Sequence, residues 1–559
     1  MMTTAPPSAD IRSAVGGGGA VRSGAFAPLT VGAFRMLWLA GLASNVGSWM
    51  QSVGAQWSLV EGGSSPAVVA LVQSAAAAPV LLLAIPAGVI GEFLDRRRIL
   101  IAAQAVQFAV AAALTVLAAT GQLGAASLIA LTFALGAASA VQLPAYQALT
   151  ADVVPTPMLG DAASLVSISV NIARAVGPAA AGLVVAQLGV PAVFAVNALS
   201  FALFLVVLVC WRGYRRPASH PEPFLDASRA GLRYVRHAGV VRTICLRLAI
   251  FLLPAVALWA LLPVLAQQSL GLGAAGYGLL LAALGAGSIA GALVLPVVRA
   301  KIGVNIVVST CAVLFGAAIA ALAVTPSLWI ALELLVAAGF GWIGVIATIG
   351  GVIQAFLPAW VRTRGLSIYQ LVLLGGTAIG SAVDGALASV FGVTEVLLAA
   401  GLIVSLVGLA QFARPLPRTE GMGRRSVPLE DASPVAVADD DERRVLVLVR
   451  YQVEASHREE FRRAMAAVAQ TRYRTGARDW HLYEAAEDPV TIIEAYELGS
   501  WREHVAQVRI RHTEWDAANL ARAKGLSIRP PTVEHCLGLP VPRLHPGGPR
   551  RGEEHDPTG

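Results

Sequence analysis

One long block of this chain, residues 33–413, has too few charged residues to be a water-soluble domain. It holds 17 of the 41 lysines and arginines and 10 of the 34 acids. The chain as a whole is 56% hydrophobic and 13% charged, whereas about 25% of the residues of an average soluble domain are charged. We therefore predict a membrane protein, and the formal net charge of +7 needs no nucleic-acid partner, since arginines border the apolar segments.

The block divides into twelve apolar segments, six before a polar stretch and six after it. A helix needs roughly 20 apolar residues to cross a hydrocarbon core about 30 Å thick. The fold class predicted is an all-α membrane protein with twelve transmembrane helices in two six-helix halves. The segments are 34–58, 67–91, 99–120, 124–147, 163–187, 190–211, 244–267, 276–298, 304–324, 327–350, 366–390 and 393–413.

Changes in composition along the chain predict seven regions. The membrane halves are separated by a cytoplasmic connecting loop and followed by a proline-rich linker and a second, α+β domain. The expected regions are a disordered tail (1–32), the N-terminal half (33–212), the connecting loop (213–243), the C-terminal half (244–413), the flexible linker (414–443), the α+β domain (444–538) and a disordered tail (539–559).

The distribution of basic residues predicts the orientation of the protein in the membrane. Basic connections occur on one side of the predicted topology, at residues 96–98, 215–242, 299–301 and 362–364, whereas the connections on the other side contain no lysine or arginine. The loop at 152–161 belongs to the basic side by parity, although it contains no basic residue. Basic loops remain on the cytoplasmic side. The protein is therefore predicted to lie in the plasma or inner membrane as a multi-pass protein with both termini in the cytoplasm.

Sites for a metal or a cofactor are not expected. The four cysteines have no paired spacing, and no histidine set accompanies them. No phosphate-binding loop is visible, so ATP is not expected to drive any activity of this chain. The cysteines are Cys210, Cys245, Cys311 and Cys536.

The end of the second segment resembles the loop motif of the major facilitator superfamily, in which a glycine precedes an acid and a basic cluster. Phe93 stands where the family commonly has arginine, and Asp95 offers a second acid. The resemblance implies a cytoplasmic gating role for this motif, because basic residues facing a helix end and an acid could latch the cytoplasmic side closed. The matching residues are Gly88, Glu92, Asp95, Arg96, Arg97 and Arg98.

Other segments resemble the enterobactin-exporter-like proteins of the superfamily, also called transmembrane secretion effectors. The fifth segment contains Asn171 to Pro178 followed by Gly182, similar to the Gly-Pro motif of exporters, with Gly177 and Pro178 at its centre. Residues 44–51, 143–149 and 230–236 fit the same branch. This resemblance implies secondary transport, usually efflux of a drug, siderophore or metabolite, by alternating access.

Ionisable side chains inside a hydrophobic segment are costly, so each is a hypothesis for function. Arg174 lies near the middle of the fifth segment and either contacts the substrate or holds neighbouring helices. Asn171, one turn earlier, joins it as a transport candidate. Glu333 and Asp384 either carry the coupling proton or keep the cavity wet. Of the two we favour Asp384, because the small residues beside it would leave room for water.

Polar residues recur along the first segment and are candidates to line a central cavity. Asn45, Gln51 and Gln56 do not share one helix face, so hydrogen bonding between helices explains them equally well. Trp49 could stack on an aromatic substrate.

The C-terminal domain is predicted to have the order βαββαβ, which is ferredoxin-like. It resembles the dimeric α+β barrel domains of the antibiotic-biosynthesis-monooxygenase type. Two interpretations follow, because a fold does not determine a function. Either Trp480, His481 or His504 acts on an aromatic substrate, or the domain is an accessory that could also form a homodimer.

The sequence thus favours an exporter of a small molecule coupled to a proton or another ion, with the lipid bilayer as its environment. The alternative from another class is a membrane-anchored monooxygenase-like enzyme whose helices deliver substrate to the C-terminal domain.

The predicted orientation can be tested with reporter fusions. A reporter placed after Arg444 should lie in the cytoplasm and one placed at Gly271 outside, because every basic connection lies on one face of the membrane. Alkaline phosphatase and a cytoplasmic fluorescent protein would measure the two locations. An outside location for the C-terminal fusion would contradict the predicted number of spans.

Overall fold

The computed structural model describes residues 26–93, 95–211, 233–234, 236–358, 360–417, 422–429 and 441–539, with only the backbone described for residues 84–93 and 363. The chain divides into two compact units. The membrane unit comprises residues 1–228, 243–355 and 366–418, and the tail unit comprises residues 229–242, 356–365 and 419–559.

Helices make up the membrane unit, since a helix satisfies its own backbone hydrogen bonds in hydrocarbon. The first half contains α1 (Gly32–Glu61), α2 (Pro66–Phe93), α3 (Arg96–Ala119), α4 (Ala125–Val153), α5 (Leu159–Leu188) and α6 (Val190–Cys210). The second contains α7 (Gly239–Ala255), α8 (Ala257–Gln268), α9 (Ala274–Ile302), α10 (Val304–Val324), α11 (Leu328–Phe356), α12 (Arg362–Phe391) and α13 (Val393–Ala413).

Three of the connections between helices consist of a single glycine. Gly189, Gly303 and Gly392 have φ values of +79°, +86° and +101°, and each separates two consecutive helices. Residues other than glycine rarely adopt positive φ values, because their Cβ atom would clash. These turns therefore depend on glycine.

Eleven candidate spans are long and apolar enough to cross a membrane among the described residues, with α7 and α8 counted together as one. Twelve were predicted. The difference is α1, which has 30 residues but is not among the eleven. Serines, Asn45, Gln51 and Gln56 interrupt its apolar residues.

The seventh predicted segment is not one continuous helix. It divides at Val256 into α7 and α8. Pro254 lies one residue before the end of α7 and has no backbone N–H to donate, and Pro263 lies inside α8. These prolines explain a break that the apolar pattern alone did not predict.

The two halves of the membrane unit pack against each other at one end of the bundle. We call it the arginine-poor end, because the connections there (62–65, 120–124, 189, 269–273, 325–327 and 392) contain no lysine or arginine. There α5 and α9 approach backbone to backbone. A Cβ added at Gly278 would lie 2.8 Å from the Pro178 carbonyl oxygen and 2.9 Å from the Gly182 Cα.

Polar side chains reinforce this packing beside the glycines. The Gln56 amide nitrogen donates to the Trp259 carbonyl oxygen (3.1 Å), and the Tyr277 hydroxyl donates to the Gln56 amide oxygen (2.8 Å). Trp57 stacks on Tyr277 with ring centroids 5.8 Å apart. One residue of α1 is therefore hydrogen-bonded to both α8 and α9.

A third contact between the halves joins α2 to α12. The Ala67 backbone N–H donates to the Ser389 hydroxyl (2.9 Å), and the Ser74 hydroxyl donates to the Ala378 carbonyl oxygen (2.8 Å). Packed helices therefore close the space between the two halves at the arginine-poor end.

The tail unit contains a four-stranded antiparallel sheet with helices, in the strand order β2-β3-β1-β4. Alternate residues of β1 and β3 are buried, so one face of the sheet packs on the unit's core. The elements are β1 (Val445–Gln452), α14 (Arg458–Thr475), β2 (Trp480–Glu484), β3 (Thr491–Leu498), α15 (Trp501–Ala506), α16 (Glu514–Gly525) and β4 (Thr532–Leu537).

Residues 501–525 of the tail unit form two helices, α15 and α16, and not one continuous helix. Between them the His512 carbonyl oxygen accepts a hydrogen bond from the Val427 backbone N–H (3.0 Å). Leu429 bonds in the same way to the Val508 carbonyl (3.0 Å). Part of the segment expected to be a flexible linker is therefore hydrogen-bonded to the tail unit.

The tail unit also includes two stretches, 229–242 and 356–365, that lie between membrane helices in the sequence. Tyr234 is buried and packs edge-on against Trp360, with ring centroids 5.5 Å apart. The Arg474 and Arg511 guanidinium groups lie 5.8 Å and 5.5 Å from the Tyr234 and Trp360 rings. Arg233 also forms an ion pair with Glu503.

Replacing Gly278 tests the packing at the arginine-poor end. We expect Gly278→Ala to lower the apparent Tm of the detergent-purified chain, because crowding a packed core costs about 1–3 kcal/mol. Gly273→Ala is the matched control, since an added Cβ there meets nothing within 4 Å. Equal Tm values for the two variants would contradict the close approach of α5 and α9.

Candidate functional site

A cavity of about 260 Å³ lies between the two halves of the membrane unit. Residues from α1, α2 and α5 face Val256, at the break before α8, and residues from α8, α9, α11 and α12 across it. Its lining is mostly apolar and aromatic, which is typical of small-molecule sites. The lining residues are Trp49, Gln73, Arg174, Pro178, Val256, Trp259, Leu281, Leu284, Gly285, Ser288, Trp342, Ile346, Leu373, Leu374 and Thr377.

Arg174 is the only ionisable residue among the described residues of this lining. Its side chain extends from α5 and lies over the Trp49 ring, with the guanidinium carbon 5.6 Å from the ring centroid. The Arg174 Nε is buried without a hydrogen-bond partner among the described residues. Of the two interpretations offered by the sequence, this position favours contact with a bound molecule.

Tryptophans from the second half form the opposite wall. Trp259 of α8 and Trp342 of α11 have ring centroids 4.2 Å apart and planes inclined by 53°. Phe251 and Phe315 pack against Trp342 with centroids 5.9 Å and 5.6 Å away. The tryptophan rings are thereby held in place by other aromatic rings.

The hydroxyl groups of the lining already donate to helix backbones. Ser288 donates to the carbonyl oxygens of Leu284 (3.0 Å) and Gly339 (3.2 Å), and Thr377 donates to Leu373 (2.8 Å). Arg174 and the amide of Gln73 are therefore the polar side chains best placed to bind a molecule in the cavity.

Asp384 does not line this cavity. It is 6% exposed and lines a separate pocket of about 400 Å³ between α7, α12 and α13, with Pro254 and Phe391. Its Oδ2 has no hydrogen-bond partner among the described residues. Gly385, one of the small residues beside it, packs against Ala70, so the open space at Asp384 is this pocket.

Glu333 is exposed on the outside of the bundle, five residues after the start of α11. The leucines on either side of it in the sequence do not bury it. A side chain facing outwards near a helix end can reach the polar surface of a bilayer.

Three polar candidates of α1 and one of α5 make local or interhelical hydrogen bonds outside the cavity. Asn45 donates to Ser169 (3.4 Å), and Gln51 accepts from Asn197 (3.2 Å). Gln56 belongs to the contact with α8 and α9. The Asn171 amide donates to the Ser167 carbonyl oxygen of its own helix (3.0 Å). Of the polar and aromatic candidates in the first helix, Trp49 alone lines the cavity.

The basic motif after α2 joins helices of the first half to one another. The Arg96 Nη1 donates to both carboxylate oxygens of Asp152 of α4 (2.6 and 2.7 Å) and forms an ion pair with it. Arg97 donates to the Leu208 and Val209 carbonyl oxygens at the end of α6 (2.8 and 2.9 Å). These contacts lie within the first half. They therefore stabilise that half whatever the position of the second half.

The remaining motif residues have structural contacts or are only partly described. Asp95 caps α3 by accepting from the Arg98 N–H (3.0 Å), and the Arg98 side chain is exposed. Gly88 and Glu92 lie in α2, but their side-chain environments are outside the described part of the chain.

The fifth-span motif provides close packing. A Cβ added at Gly177 would lie 2.6 Å from the Trp49 Cβ, so this glycine lets α5 lie directly against the cavity face of α1. Pro178 lines the cavity, and Gly182 contacts Gly278.

The tail unit has a cavity of about 40 Å³, lined by residues including Tyr451, Arg472, His504 and His535. An engineered cavity that binds benzene has about 150 Å³, so this one is too small for an aromatic substrate. Burial, with the nearby His535 and Arg472, lowers the pKa of His504 to about 3. The imidazole is therefore neutral and a weak base.

The three residues proposed for catalysis are not assembled. The Trp480 indole N–H donates to Glu494 (2.9 Å), which also forms a buried ion pair with Arg472 (2.9 Å). His481 is exposed. Only His504 lines the small cavity.

Sequence reasoning missed Trp259, Trp342 and Gln73 as parts of the central cavity. The signal for Trp259 was its position between Pro254 and Pro263, since two prolines in one span indicate an irregular helix. The other two looked like ordinary membrane residues, and only the assembled halves bring them together.

Comparison with known proteins identifies the family. Residues 23–541 match the family described as transmembrane secretion effector. The chain belongs to this family of major facilitator transporters. The family consists of transporters, so the chain is a transporter and not an enzyme. The monooxygenase-like resemblance of the tail unit is not confirmed and stays a prediction.

Curated relatives have modest identity. The multidrug efflux pump Tap of Mycobacterium bovis is 26% identical over 402 residues, which are 69% of this chain and 94% of that pump. The staphyloferrin A transporter of Staphylococcus aureus is 29% identical over 185 residues, 33% of this chain, and the match spans only 45% of that transporter.

Solved structures share the fold. A bacterial homologue of the lysosomal transporter Spinster, in an inward-facing and unoccupied conformation, has a TM-score of 0.57 at 14% identity and covers 69% of this chain and 97% of its own. The nucleoside transporter NupG has a TM-score of 0.57 at 10% identity and covers 68% of this chain and 99% of its own.

Proposed function

We propose that this chain exports a small organic molecule from the cytoplasm by alternating access to the cavity between its halves. The observation that carries the proposal is a cavity lined from both halves and closed by their packing at the arginine-poor end. Rocking one half against the other around a fixed site would open that end. The similarity to an efflux pump and a siderophore transporter supports export.

In this proposal α1 is the twelfth span, and both termini are cytoplasmic. Its 30 residues exceed the roughly 20 needed to cross the hydrocarbon core. Much of its polar surface is covered by other helices: Gln51 and Gln56 are buried. A cavity opening towards the arginine-rich side would then admit substrate from the cytoplasm.

Asp384 is the proposed proton carrier, and Glu333 contributes less. Asp384 has an unpartnered oxygen and shares a mostly apolar pocket with a second acid, Glu395. A carboxylate in these surroundings is costly, whereas the protonated group is not. Asp384 lies on α12, which packs on α2 of the other half through Ser389 and Ala378. Protonation at Asp384 could thus change the contact between the halves without touching the substrate.

The coupling is tested by transport into inside-out vesicles with and without a pH gradient, using a panel of drugs and metabolites. We expect Asp384→Asn to abolish the gradient-driven component while substrate binding persists, because the amide cannot take up the proton. Glu333→Gln is the matched control and should retain most of it. Undiminished gradient-driven transport by the Asp384→Asn protein would remove this residue from the mechanism. Absence of energised transport of every compound by the wild-type chain would contradict export.

The tail unit is proposed to be an accessory domain. Its element order and its strand order support a ferredoxin-like domain, and a homodimer through it stays a proposal. The stretches that contain Tyr234 and Trp360 precede α7 and α12, and the tail unit holds both. It could therefore restrain the movement of those two helices.

Tyr234→Ala tests the accessory role. Removal of the ring packed on Trp360 should make the tail unit more sensitive to protease and change the transport rate without abolishing it. Tyr483→Ala is the matched control, because Tyr483 is 53% exposed. Unchanged protease sensitivity would contradict the restraint, and oxidation of an aromatic substrate by the full chain would favour the enzymatic alternative.

A further inference from the structure

Arg174 brings a positive charge into the central cavity without a negative partner. No Asp or Glu oxygen lies within 4 Å of it among the described residues, and its Nε lacks a hydrogen bond. The guanidinium carbon lies 5.6 Å from the centroid of the Trp49 ring. A buried cation in this condition is costly, so a partner that enters the cavity would be strongly favoured.

The acids elsewhere in the membrane unit are poorly placed to be that partner. Asp384 and Glu395 line a different pocket, and Glu333 is exposed. Glu92 lies nineteen residues along α2 from the cavity residue Gln73, which is about 28 Å along a helix. Since no acid lines the cavity or pairs with Arg174 among the described residues, a bound anion is the partner that would balance its charge.

The cavity walls indicate the rest of that molecule. Trp49, Trp259 and Trp342 provide flat faces on both sides, and the Trp259 and Trp342 rings form a wedge. A volume of about 260 Å³ exceeds the 150 Å³ or so of a cavity that takes one benzene ring. One or two fused rings with a small acidic group would fit.

We propose that the transported molecule is a small organic anion with a flat aromatic body, and that Arg174 binds its carboxylate or a similar acidic group. The inference rests on the proposed export through this cavity and adds the substrate class. Arg174 forms charge-assisted hydrogen bonds with the anion, bidentate for a carboxylate, while the tryptophans stack on the rings. The Gln73 amide is available to a neutral substituent.

The charge preference is tested by binding a matched set of probes to the full chain purified in detergent. The probes are 2-naphthoate, 2-naphthamide, 2-naphthylmethylammonium and the saturated decahydro-2-naphthoate, with dissociation constants measured by equilibrium dialysis at pH 7. We expect naphthoate to bind about ten- to a hundredfold more tightly than the amide, as for a hydrogen bond to a charged group. The cation should bind most weakly, and the saturated acid more weakly than naphthoate.

Variants assign the preference to Arg174. Arg174→Gln should remove the difference between naphthoate and naphthamide, and Arg174→Lys should keep part of it, because the charge remains but the bidentate fork is lost. Arg35→Gln is the matched control: it removes one positive charge from an exposed position of α1 and should keep the full difference. If Arg174→Gln does not fold, the ranking of probes on the wild-type chain and the Arg174→Lys variant still decide the question.

Several results would overturn the inference. Equal or tighter binding of the amide or the cation by the wild-type chain would do so, as would a naphthoate preference that persists in Arg174→Gln. Equal binding of the saturated acid would overturn the aromatic part. Failure of export is a different result: naphthoate would bind with the expected preference, but no probe would be transported into energised vesicles.

Discussion

The backbone contact between α5 and α9 is the interaction on which the central site depends. In hydrocarbon there is little hydrophobic force between helices, so their association relies on close packing and on hydrogen bonds. Gly182 and Gly278 allow that packing, and Gln56 adds hydrogen bonds to α8 and α9 beside it. Together they close one end of the cavity and bring Arg174 opposite Trp259 and Trp342. A bulkier residue at either glycine would separate the halves that form the site.

A cavity closed by noncovalent packing between two halves can open again at moderate cost. The basic motif does not oppose this movement, because Arg96 and Arg97 bond within the first half. Each half is therefore reinforced internally, whereas the contacts between halves are small residues and single hydrogen bonds. This distribution suits rigid-body rocking, in which the helices of one half move together. Arg174 has no negatively charged partner among the described residues. Binding of an anion would therefore stabilise the occupied cavity relative to the empty one.

The tail unit shows why a resemblance in fold is not enough to assign chemistry. Its sheet and helices follow the predicted order, yet the cavity is far too small for the aromatic substrate that the enzymatic alternative requires. Burial keeps His504, the candidate base in that cavity, neutral, and the Trp480 indole N–H donates to Glu494. The ordered contacts of this unit instead involve Tyr234 and Trp360, in stretches that lead into membrane helices.

The sequence by itself determined the membrane class, the positions of the helices and the family. Hydrocarbon demands long apolar helices, and a span of about 20 residues can be recognised locally, with glycine turns such as Gly303 between helices. It also singled out Arg174, Trp49 and Gly182, because a charge, a large ring or a motif glycine inside an apolar helix is conspicuous. The tertiary structure decided which of these residues meet. Asp384 and Glu333 look alike in the sequence, but rotation of the helices buries one in a separate pocket and turns the other outwards. The residues that face Arg174 across the cavity are more than 80 positions away in the sequence. A local sequence pattern cannot predict which distant residues will lie opposite it.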